Sequence, residues 1–454
     1  MSNQKTSVTP SVITHAQLER LRSFGSSDLI PTSSPDSTPR YLWRGFMLDS
    51  ARTFWPVETV CEVLALMARY RLNKLHWHLC DDAGWRFEVT EYPRLTTTGA
   101  TLPREEFFWY TNVDLNKAID AHAHAPKNST TGYYRDEEIA YIVDFAASLG
   151  IDIIPEIDLP GHMGAAIRAY PELGDPRLSN LSPHNWSHRN DVLWPGSAST
   201  RFIQTVLNKV TSLFPSQIVH IGGDEVNLSA WESDTDLMKQ AAVRGINNGA
   251  QLQSEFILQA RKYLARRGRR IAVWDDALVG HADALSGEEI VTAWQEDGGV
   301  ERAKMSARDW VFADSSLLYL NRVAGPVDSE PAGMFGAIST GDILEAVLPH
   351  SEKLLGIQAA LWCEFISNRD VLYHYLFPRL LAVSQIAWTA EKVSWEDFAP
   401  HLEKEMLWLA EHDIIGRPLD EHTFKVHDPI ERPYEDLPID RHQAPEALRA
   451  TSSQ

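Results

Sequence analysis

The chain has 454 residues, of which 44% are hydrophobic and 23% charged, and its 42 basic and 62 acidic residues give a net charge of −20. This composition excludes a disordered protein, and the length fits one large α/β barrel or two to three smaller domains. The acidic balance argues against nucleic acid and anionic membranes as partners, because both would repel the surface. No apolar window approaches the roughly 18 residues that a membrane span needs.

Residues 1–40, rich in Ser, Thr and Pro, are predicted to form an N-terminal tail, and residues 415–454 a C-terminal surface tail. Residues 41–414 lie between them. There, short apolar runs alternate with stretches of helical period. The runs predict strands at 41–48, 74–79, 151–157, 217–223, 270–275, 289–294, 309–314 and 354–362. The amphipathic stretches predict helices at 57–71, 135–150, 200–214, 249–268 and 370–389. Eight strands alternating with helices predict a parallel (β/α)8 TIM barrel.

Polar and aromatic side chains follow the predicted strands, at the barrel end where catalytic residues collect. Tryptophan is also abundant, with fifteen copies, and indole faces pack well against sugar rings. The residues at this rim are Asp49, Arg52, Asp81, Asp82, Asp158, His162, Asp224, Glu225, Trp274, Asp275, Trp294, Tyr319, Trp362 and Glu364.

The stretch "VHIGGDEV" (219–226) places Asp224 and Glu225 side by side at the predicted end of a buried strand. Glycoside hydrolysis needs a carboxylic acid to protonate the leaving oxygen and a second group to act at the anomeric carbon. Successive strand side chains point to opposite sides, so this pair is poorly placed to flank a sugar as acid and nucleophile. The pair fits better if Glu225 delivers the proton while Asp224 holds a substrate group that acts as the nucleophile. Asp81 and His162 can tune the pKa of Glu225.

Seven segments resemble, in order, the conserved blocks of glycoside hydrolase family 20, the β-N-acetylhexosaminidases. These segments are "WRGFMLDSAR" (43–52), "NKLHWHLCDDAGWR" (73–86), "IPEIDLPGHMGAA" (154–166), "HIGGDEV" (220–226), "VWDDAL" (273–278), "GIQAALWCEF" (356–365) and "FPRLLAVSQIAWT" (377–389). Family members usually carry an α+β domain before the barrel. Since only residues 1–40 precede it here, we interpret the chain as a catalytic-domain-only member.

The resemblance implies a role for each matching residue. Glu225 would be the general acid/base, with Asp81 and His162 as a relay behind it. Asp224 would orient the 2-acetamido group, whose carbonyl oxygen attacks the anomeric carbon to form an oxazolinium ion. Tyr319 would donate a hydrogen bond to that oxygen.

The resemblance also implies the substrate contacts. Trp274, Trp294 and Trp362 would form the walls of the acetamido pocket, while Arg52 and Glu364 would bind the 3- and 4-hydroxyls. Four further residues are interpreted as structural and two are left open between structure and function. The structural ones are Asp49, Arg44, Asp82 and Trp85, and the open ones are Trp231 and Asp158.

The sequence "YLNR" departs from the Leu-Asp that many members carry after the tyrosine. Asn321 and Arg322 resemble the α-subunit of the lysosomal hexosaminidases, which accepts 6-sulfated substrates. Arg322 could pair with a sulfate that an aspartate would repel. The alternative is that Asn321 binds a neutral 6-hydroxyl.

Other readings stay open. One alternative is a metal-dependent barrel hydrolase, because some barrel amidohydrolases hold a divalent metal with the His-x-His pattern seen in "HWH" (76–78) and "HAH" (122–124). No metal or cofactor is predicted, and His76 and His78 are predicted to fill the barrel beneath Asp81. A non-catalytic glycan-binding protein and a lacto-N-biosidase are further alternatives. The predicted partner is a glycan or an amino-sugar glycoside. A homodimer is a further hypothesis, in which segment 95–131 completes the partner's site.

The predicted location is the cytoplasm. Three cysteines without disulfide or zinc spacing indicate a reducing compartment, and the N-terminal stretch lacks the apolar segment of a signal peptide.

Overall fold

The computed structural model describes residues 12–33, 37–101, 131–178, 192–279, 287–326 and 329–426. Most of segment 95–131 and the "HAH" motif lie outside these residues, so their predicted roles are untested. In the part that is described, no helix is both long enough and apolar enough to cross a bilayer.

Eight parallel strands form a closed barrel, which confirms the predicted fold. The first strand pairs with the second on one side and with the last strand on the other, so the sheet has no open edge. Its strands are β1 Trp43–Asp49, β2 Lys74–His78, β3 Asp152–Glu156, β4 Ile218–His220, β5 Arg270–Trp274, β6 Ile290–Ala293, β7 Trp310–Phe312 and β10 Leu354–Leu361. Two short strands, β8 Arg322–Val323 and β9 Met334–Ala337, pair separately between β7 and β10.

Among the longer helices, Asp136–Ser148 packs against β3, Gly249–Ala265 against β5, and Arg379–Trp388 against β1 and β10. Their apolar faces fill the space against the strands, as the 3.6-residue period predicts. The helices of eight or more residues are His15–Arg22, Val57–Arg69, Asp136–Ser148, Ser197–Leu213, Thr235–Val243, Gly249–Ala265, Arg369–Leu376, Arg379–Trp388 and Trp395–Glu411. The shorter ones are Arg94–Thr97, Gly164–Ala169, Leu228–Glu232, Gly299–Met305, Ser315–Leu318 and Thr340–Glu345.

The prediction of one helix over 370–389 is wrong. The structure has two helices, Arg369–Leu376 and Arg379–Trp388, with Phe377 and Pro378 between them. Proline has no amide hydrogen to donate and its ring clashes with the carbonyl four residues earlier, so the first helix cannot continue through it.

The helix Trp395–Glu411 was not predicted from the sequence. It buries Phe398, Leu402, Glu405 and Leu409, which recur at the spacing of one helix face. Because Glu405 is one of these buried residues, the buried face is not wholly apolar and its period is harder to recognise in the sequence. Glu405 is paired there with Arg69 at 3.0 Å.

Both described tail segments pack against the barrel. In the first, Leu21, Phe24 and Ile30 are buried, and Arg20 pairs with Glu62 at 2.6 Å. In the second, buried Arg417 pairs with Glu330 at 2.6 Å. The tail boundaries at 40 and 414 remain predictions.

Candidate active site

The two adjacent carboxylates lie on a loop and not on a strand. Strand β4 ends at His220, and Gly222 and Gly223 follow with φ of 64° and 93°. A Cβ on Gly222 would lie 1.7 Å from an oxygen of Asp158, so only glycine fits this turn. The expectation that strand geometry sends the two side chains to opposite sides therefore does not apply. The loop separates them instead: Asp224 is buried, while the side chain of Glu225 is 35% exposed.

His162 lies behind both carboxylates. Its Nε2 is 3.6 Å from an oxygen of Asp224 and 3.6 Å from an oxygen of Glu225. Its Nδ1 is hydrogen-bonded to Asp82 at 3.1 Å, whereas Asp81 is 3.6 Å away. Burial lowers the pKa of His162, but Asp81, together with hydrogen bonds to Asp82 and Glu225, raises it well above the usual value. Asp82, interpreted as structural from sequence, therefore makes the hydrogen bond expected of Asp81.

Asp81 instead belongs with the arginine of the predicted sugar site. Its Oδ2 lies 2.8 Å from Arg52 and 3.0 Å from Nε2 of His78. Burial opposes ionisation, yet Arg52 and His162 hold the pKa of Asp81 below its usual range. The Arg52 guanidinium also lies 4.8 Å from the centre of the Trp362 ring and 3.8 Å from Glu364. Burial raises the pKa of Glu364 to about 7.

Asp158 and Asp224 form a buried carboxyl pair beside His162. One carboxyl oxygen of each aspartate and one ring nitrogen of His162 lie within 4.8 Å of one another. Burial raises the pKa of Asp158 to about 7. Burial and then the adjacent Asp158 raise the pKa of Asp224 well above its ordinary value. Because two like charges this close repel, the pair retains a proton near neutrality. A cation formed against Asp224 would favour release of that proton.

Four aromatic side chains enclose the opposite side of the site. Tyr319 stacks on Trp294 with centroids 5.9 Å apart and planes at 9°, and it meets Trp362 edge-on at 6.1 Å. Trp274 lies 5.9 Å from Trp362. Burial raises the pKa of Tyr319 well above its usual value, so the phenol stays neutral and can donate a hydrogen bond. These rings pack in one apolar cluster, whose surface is suited to contact with a methyl group.

Asp276 is a site residue that sequence reasoning missed. Its carboxylate accepts hydrogen bonds from the Trp294 indole at 2.6 Å, the Gln295 amide at 3.0 Å and the backbone N–H of Glu225 at 3.3 Å. Burial and then Asp224 raise the pKa of Asp276 to about 8. The second aspartate of "VWDDAL" was the available signal.

Asn321 and Arg322 lie beside the aromatic side. Asn321 is buried, donates to the Met334 sulfur at 3.6 Å, and leaves its side-chain oxygen without a partner among the described residues. Arg322 forms an ion pair with Glu296 and lies 3.5 Å from the Ser315 hydroxyl. An anionic substrate group would therefore compete with Glu296 for Arg322.

The histidines of "HWH" face carboxylates inside the barrel. Nδ1 of His78 is hydrogen-bonded to Glu156. Nδ1 of His76 accepts from the Gln358 amide at 3.0 Å, and the Gln358 oxygen accepts from the Trp43 indole at 3.3 Å. The ring proton of His76 is therefore on Nε2, which lies 3.1 Å from Glu156. While Gln358 keeps this orientation, Nε2 has no free lone pair for a metal, and a neutral His76 ring faces the Glu156 carboxylate.

Comparison with known proteins identifies the family. The model of the glycosyl hydrolase family 20 catalytic domain matches residues 41–391, which is most of the chain. The chain belongs to glycosyl hydrolase family 20. The resemblance inferred from the sequence is thus confirmed.

Similar proteins include a β-hexosaminidase of Porphyromonas gingivalis, 33% identical over 85% of this chain and 48% of its own length. Another, from Vibrio furnissii, is 32% identical over 81% of this chain and 60% of its own length. Among solved structures, an exo-β-N-acetylglucosaminidase from Vibrio harveyi in complex with N-acetylglucosamine superposes with a TM-score of 0.71. It is 30% identical, and the match covers 84% of this chain and 60% of that one. The chain thus spans about half to three fifths of the length of these relatives.

Proposed function

We propose that this protein is an exo-β-N-acetylhexosaminidase, which removes terminal β-linked N-acetylglucosamine or N-acetylgalactosamine with retention of configuration. The observation that carries the proposal is that Asp224 and Glu225 lie together beside His162, next to the aromatic cluster that contains Tyr319. A buried carboxyl and a phenol at one apolar pocket suit an acetamido group, which offers one N–H, one carbonyl oxygen and a methyl.

In the proposed first step, Glu225 protonates the glycosidic oxygen while the acetamido oxygen of the substrate attacks the anomeric carbon. The glycosidic bond breaks, the alcohol leaves with the proton, and the sugar remains as an oxazolinium ion. Asp224 accepts the N–H of the acetamido group and balances its growing positive charge. Tyr319 donates to the acetamido oxygen and holds it near the anomeric carbon.

In the second step, Glu225 removes a proton from water as the water attacks the anomeric carbon. The oxazolinium ring opens as its bond to the anomeric carbon breaks, which restores the acetamido group. The sugar is released with its original configuration. His162 lies 3.6 Å from Glu225 and has Asp82 at its other nitrogen. As an imidazolium, it can stabilise the Glu225 carboxylate that forms after the first proton transfer.

Initial rates on p-nitrophenyl β-N-acetylglucosaminide test the proposal. Hydrolysis by wild type, its loss in both Asp224→Asn and Glu225→Gln, and inhibition by a thiazoline analogue of the oxazolinium ion are expected. Activity confined to a lacto-N-biose glycoside would replace the proposal with lacto-N-biosidase, which releases a disaccharide. No hydrolysis of either substrate would favour the non-catalytic alternative.

We also propose that the site tolerates a 6-sulfate on the sugar, with Arg322 as its cation. The ion pair to Glu296 means that sulfate must displace a carboxylate, so Glu296→Gln should raise kcat/KM on the sulfated glycoside relative to the plain one. Arg322→Gln should lower that ratio. If wild type does not act on the sulfated glycoside, the neutral alternative holds, in which Asn321 binds an unmodified 6-hydroxyl.

A further inference from the structure

A layer of polar side chains lies in the barrel directly below the site. It is built from the last residue of each of four adjacent strands: Asp49 of β1, His78 of β2, Glu156 of β3 and His220 of β4. These residues are direct neighbours in the register of the sheet. All four residues are buried with at most 1% exposure, so none is open to a substrate that enters the site from solvent.

Glu156 is at the centre of this layer. One of its carboxylate oxygens accepts a hydrogen bond from the indole of Trp274 at 2.8 Å and lies 3.0 Å from Nδ1 of His220. Its other oxygen is bonded to His78 and lies 3.1 Å from Nε2 of His76. One carboxylate therefore contacts side chains from three other strands.

His78 joins Glu156 to the sugar site. Its Nδ1 is bonded to Glu156 and its Nε2 to Asp81 at 3.0 Å. A ring with a carboxylate at each nitrogen is best satisfied as an imidazolium, which donates from both. Asp81 in turn holds Arg52 at 2.8 Å. Glu156, His78, Asp81 and Arg52 thus form a line of alternating charge from the barrel interior to the substrate side.

An alternating line of this kind is sensitive to the loss of a member. A buried charge without a partner is strongly unfavourable, so removal of the charge of Glu156 changes the stability of the imidazolium beside it. The change reaches Arg52 through Asp81, and it reaches the acetamido pocket through Trp274.

We propose that Glu156 is a positioning residue that orients Trp274 and Arg52 together, the latter through an imidazolium of His78 and the carboxylate of Asp81. The inference deepens the proposed function, since it assigns these two groups to opposite ends of a bound 2-acetamido sugar.

The electrostatic directions agree with this arrangement. Burial lowers the pKa of His78, but Glu156 and then Asp81 raise it well above its usual value, with a smaller contribution from Asp49. Burial raises the pKa of Glu156, but His78, His76 and His220 hold it well below its usual range. The Trp362 ring packs edge-on against His78, with ring centres 5.0 Å apart, and carries no charge.

The charge state of His78 can be measured without substrate. In protein labelled with ¹⁵N-histidine, the His78 imidazole signals are those absent from a His78→Gln sample. Both nitrogens of wild-type His78 should stay protonated well above the pH at which an ordinary histidine ring loses its proton, whereas in Glu156→Gln the midpoint of deprotonation should fall. Titration of wild-type His78 near its ordinary pKa of about 6.5 overturns the inference.

Kinetics then separate positioning from general support of the fold. Glu156→Gln should lower kcat/KM on the aryl N-acetylglucosaminide about 100-fold, mainly through KM, because two recognition groups shift. The matched control is Glu289→Gln, which removes another fully buried carboxylate, paired with Arg308 before β6. It should lower the melting temperature and leave KM unchanged. An unchanged KM in Glu156→Gln as well makes Glu156 purely structural and overturns the inference.

A double variant covers the case in which Glu156→Gln folds poorly. Glu156→Gln/His78→Gln removes both members of the ion pair and should recover part of the melting temperature lost by the single variant, while KM stays high. Recovery of a wild-type KM in the double variant also overturns the inference. Failure of the wild type to hydrolyse any 2-acetamido glycoside contradicts the proposed function instead, and the histidine titration still decides the charge state of His78.

Discussion

The two sides of the barrel mouth are built from different chemistry. The ends of β1 to β4 and their loops supply carboxylates, histidines and Arg52, and most of these groups are paired with an opposite charge or share a proton. The ends of β5, β6 and β10, with Tyr319 after β7, supply aromatic rings. Asp276 joins the two sides, because it bonds to Trp294 on one and to the backbone of Glu225 on the other.

The difference between these sides shows how each depends on the other. Charges act strongly only where water is excluded, because a low local dielectric strengthens every interaction among them. The aromatic side excludes that water and itself contributes few charges. A substitution on the aromatic side should therefore weaken binding of the acetamido group or slow its attack on the anomeric carbon. One on the charged side should change proton transfer or hydroxyl recognition.

Tyr319→Phe should have the largest effect among substitutions that test this division. It removes one hydrogen-bond donor from the acetamido oxygen while the stacked ring remains, and kcat should fall about 10²- to 10³-fold. Steady-state kinetics on the aryl N-acetylglucosaminide measure this change. Tyr375→Phe, which removes a buried hydroxyl from an outer helix, is the control and should retain kcat. Retention of kcat in Tyr319→Phe would assign the tyrosine to packing alone.

Asp82→Asn and Asp81→Asn divide the charged side into two functions. Asp82 is bonded to His162, so Asp82→Asn should lower kcat about 100-fold with little change in KM. Asp81 is bonded to Arg52, so Asp81→Asn should mainly raise KM. Kinetic constants for both variants under one set of conditions test the assignment. If the two variants have the same kinetic profile, the separation of relay and sugar site is wrong.

Asp276→Asn should raise KM about tenfold, because an amide has one acceptor oxygen, whereas the Trp294 indole and the Glu225 backbone donate to different oxygens of Asp276. Inhibition by the thiazoline analogue should weaken in parallel, since both measurements report on the acetamido pocket. Asp309→Asn, at a partly exposed carboxylate paired with Arg270 at 3.1 Å, is the control and should leave both constants unchanged. Normal inhibition in Asp276→Asn would show that Trp294 holds its position without this bond.

The smallest expected effect is on stability. The pKa of Glu364 is raised from 4.5 to about 7, so the folded state binds its proton more tightly than the unfolded state does. Stability should therefore fall as pH rises, by about 1 kcal/mol between about pH 6 and about pH 8. Asp158 and Asp276 titrate in the same range, so the measurement is the difference in urea unfolding between wild type and Glu364→Gln. An identical pH dependence in the two proteins contradicts this assignment.

The eight strands could be predicted because buried parallel strands are continuous apolar runs, which stand out from amphipathic helices. The rim residues could be predicted for the same reason, since each follows such a run. What could not be predicted is the direction of side chains on the loops. Asp81 and Asp82 are adjacent in the sequence, yet one bonds to Arg52 and the other to His162. The loop backbone decides this, and no period in the sequence encodes it.

Burial inside the barrel was equally hidden from the sequence. Glu156 stands in the strand "IDIIPEI", where a charged residue could as well face solvent. Its function as a shared acceptor becomes visible only when β2, β4 and β5 bring their own polar residues to the same height. The structure likewise divided the predicted helix at Pro378, although that signal was present in the sequence.

The glycine turn after β4 has a consequence for the design of mutant libraries. In a saturation library selected for activity, position 222 should return glycine alone, because any side chain would collide with Asp158. Position 245 should behave differently. Gly245 also has a positive φ, of 80°, but nothing lies within 4 Å of an added Cβ, so asparagine should survive selection there. Selection at the two positions would distinguish a glycine required because a side chain would clash from a glycine required only by a positive φ.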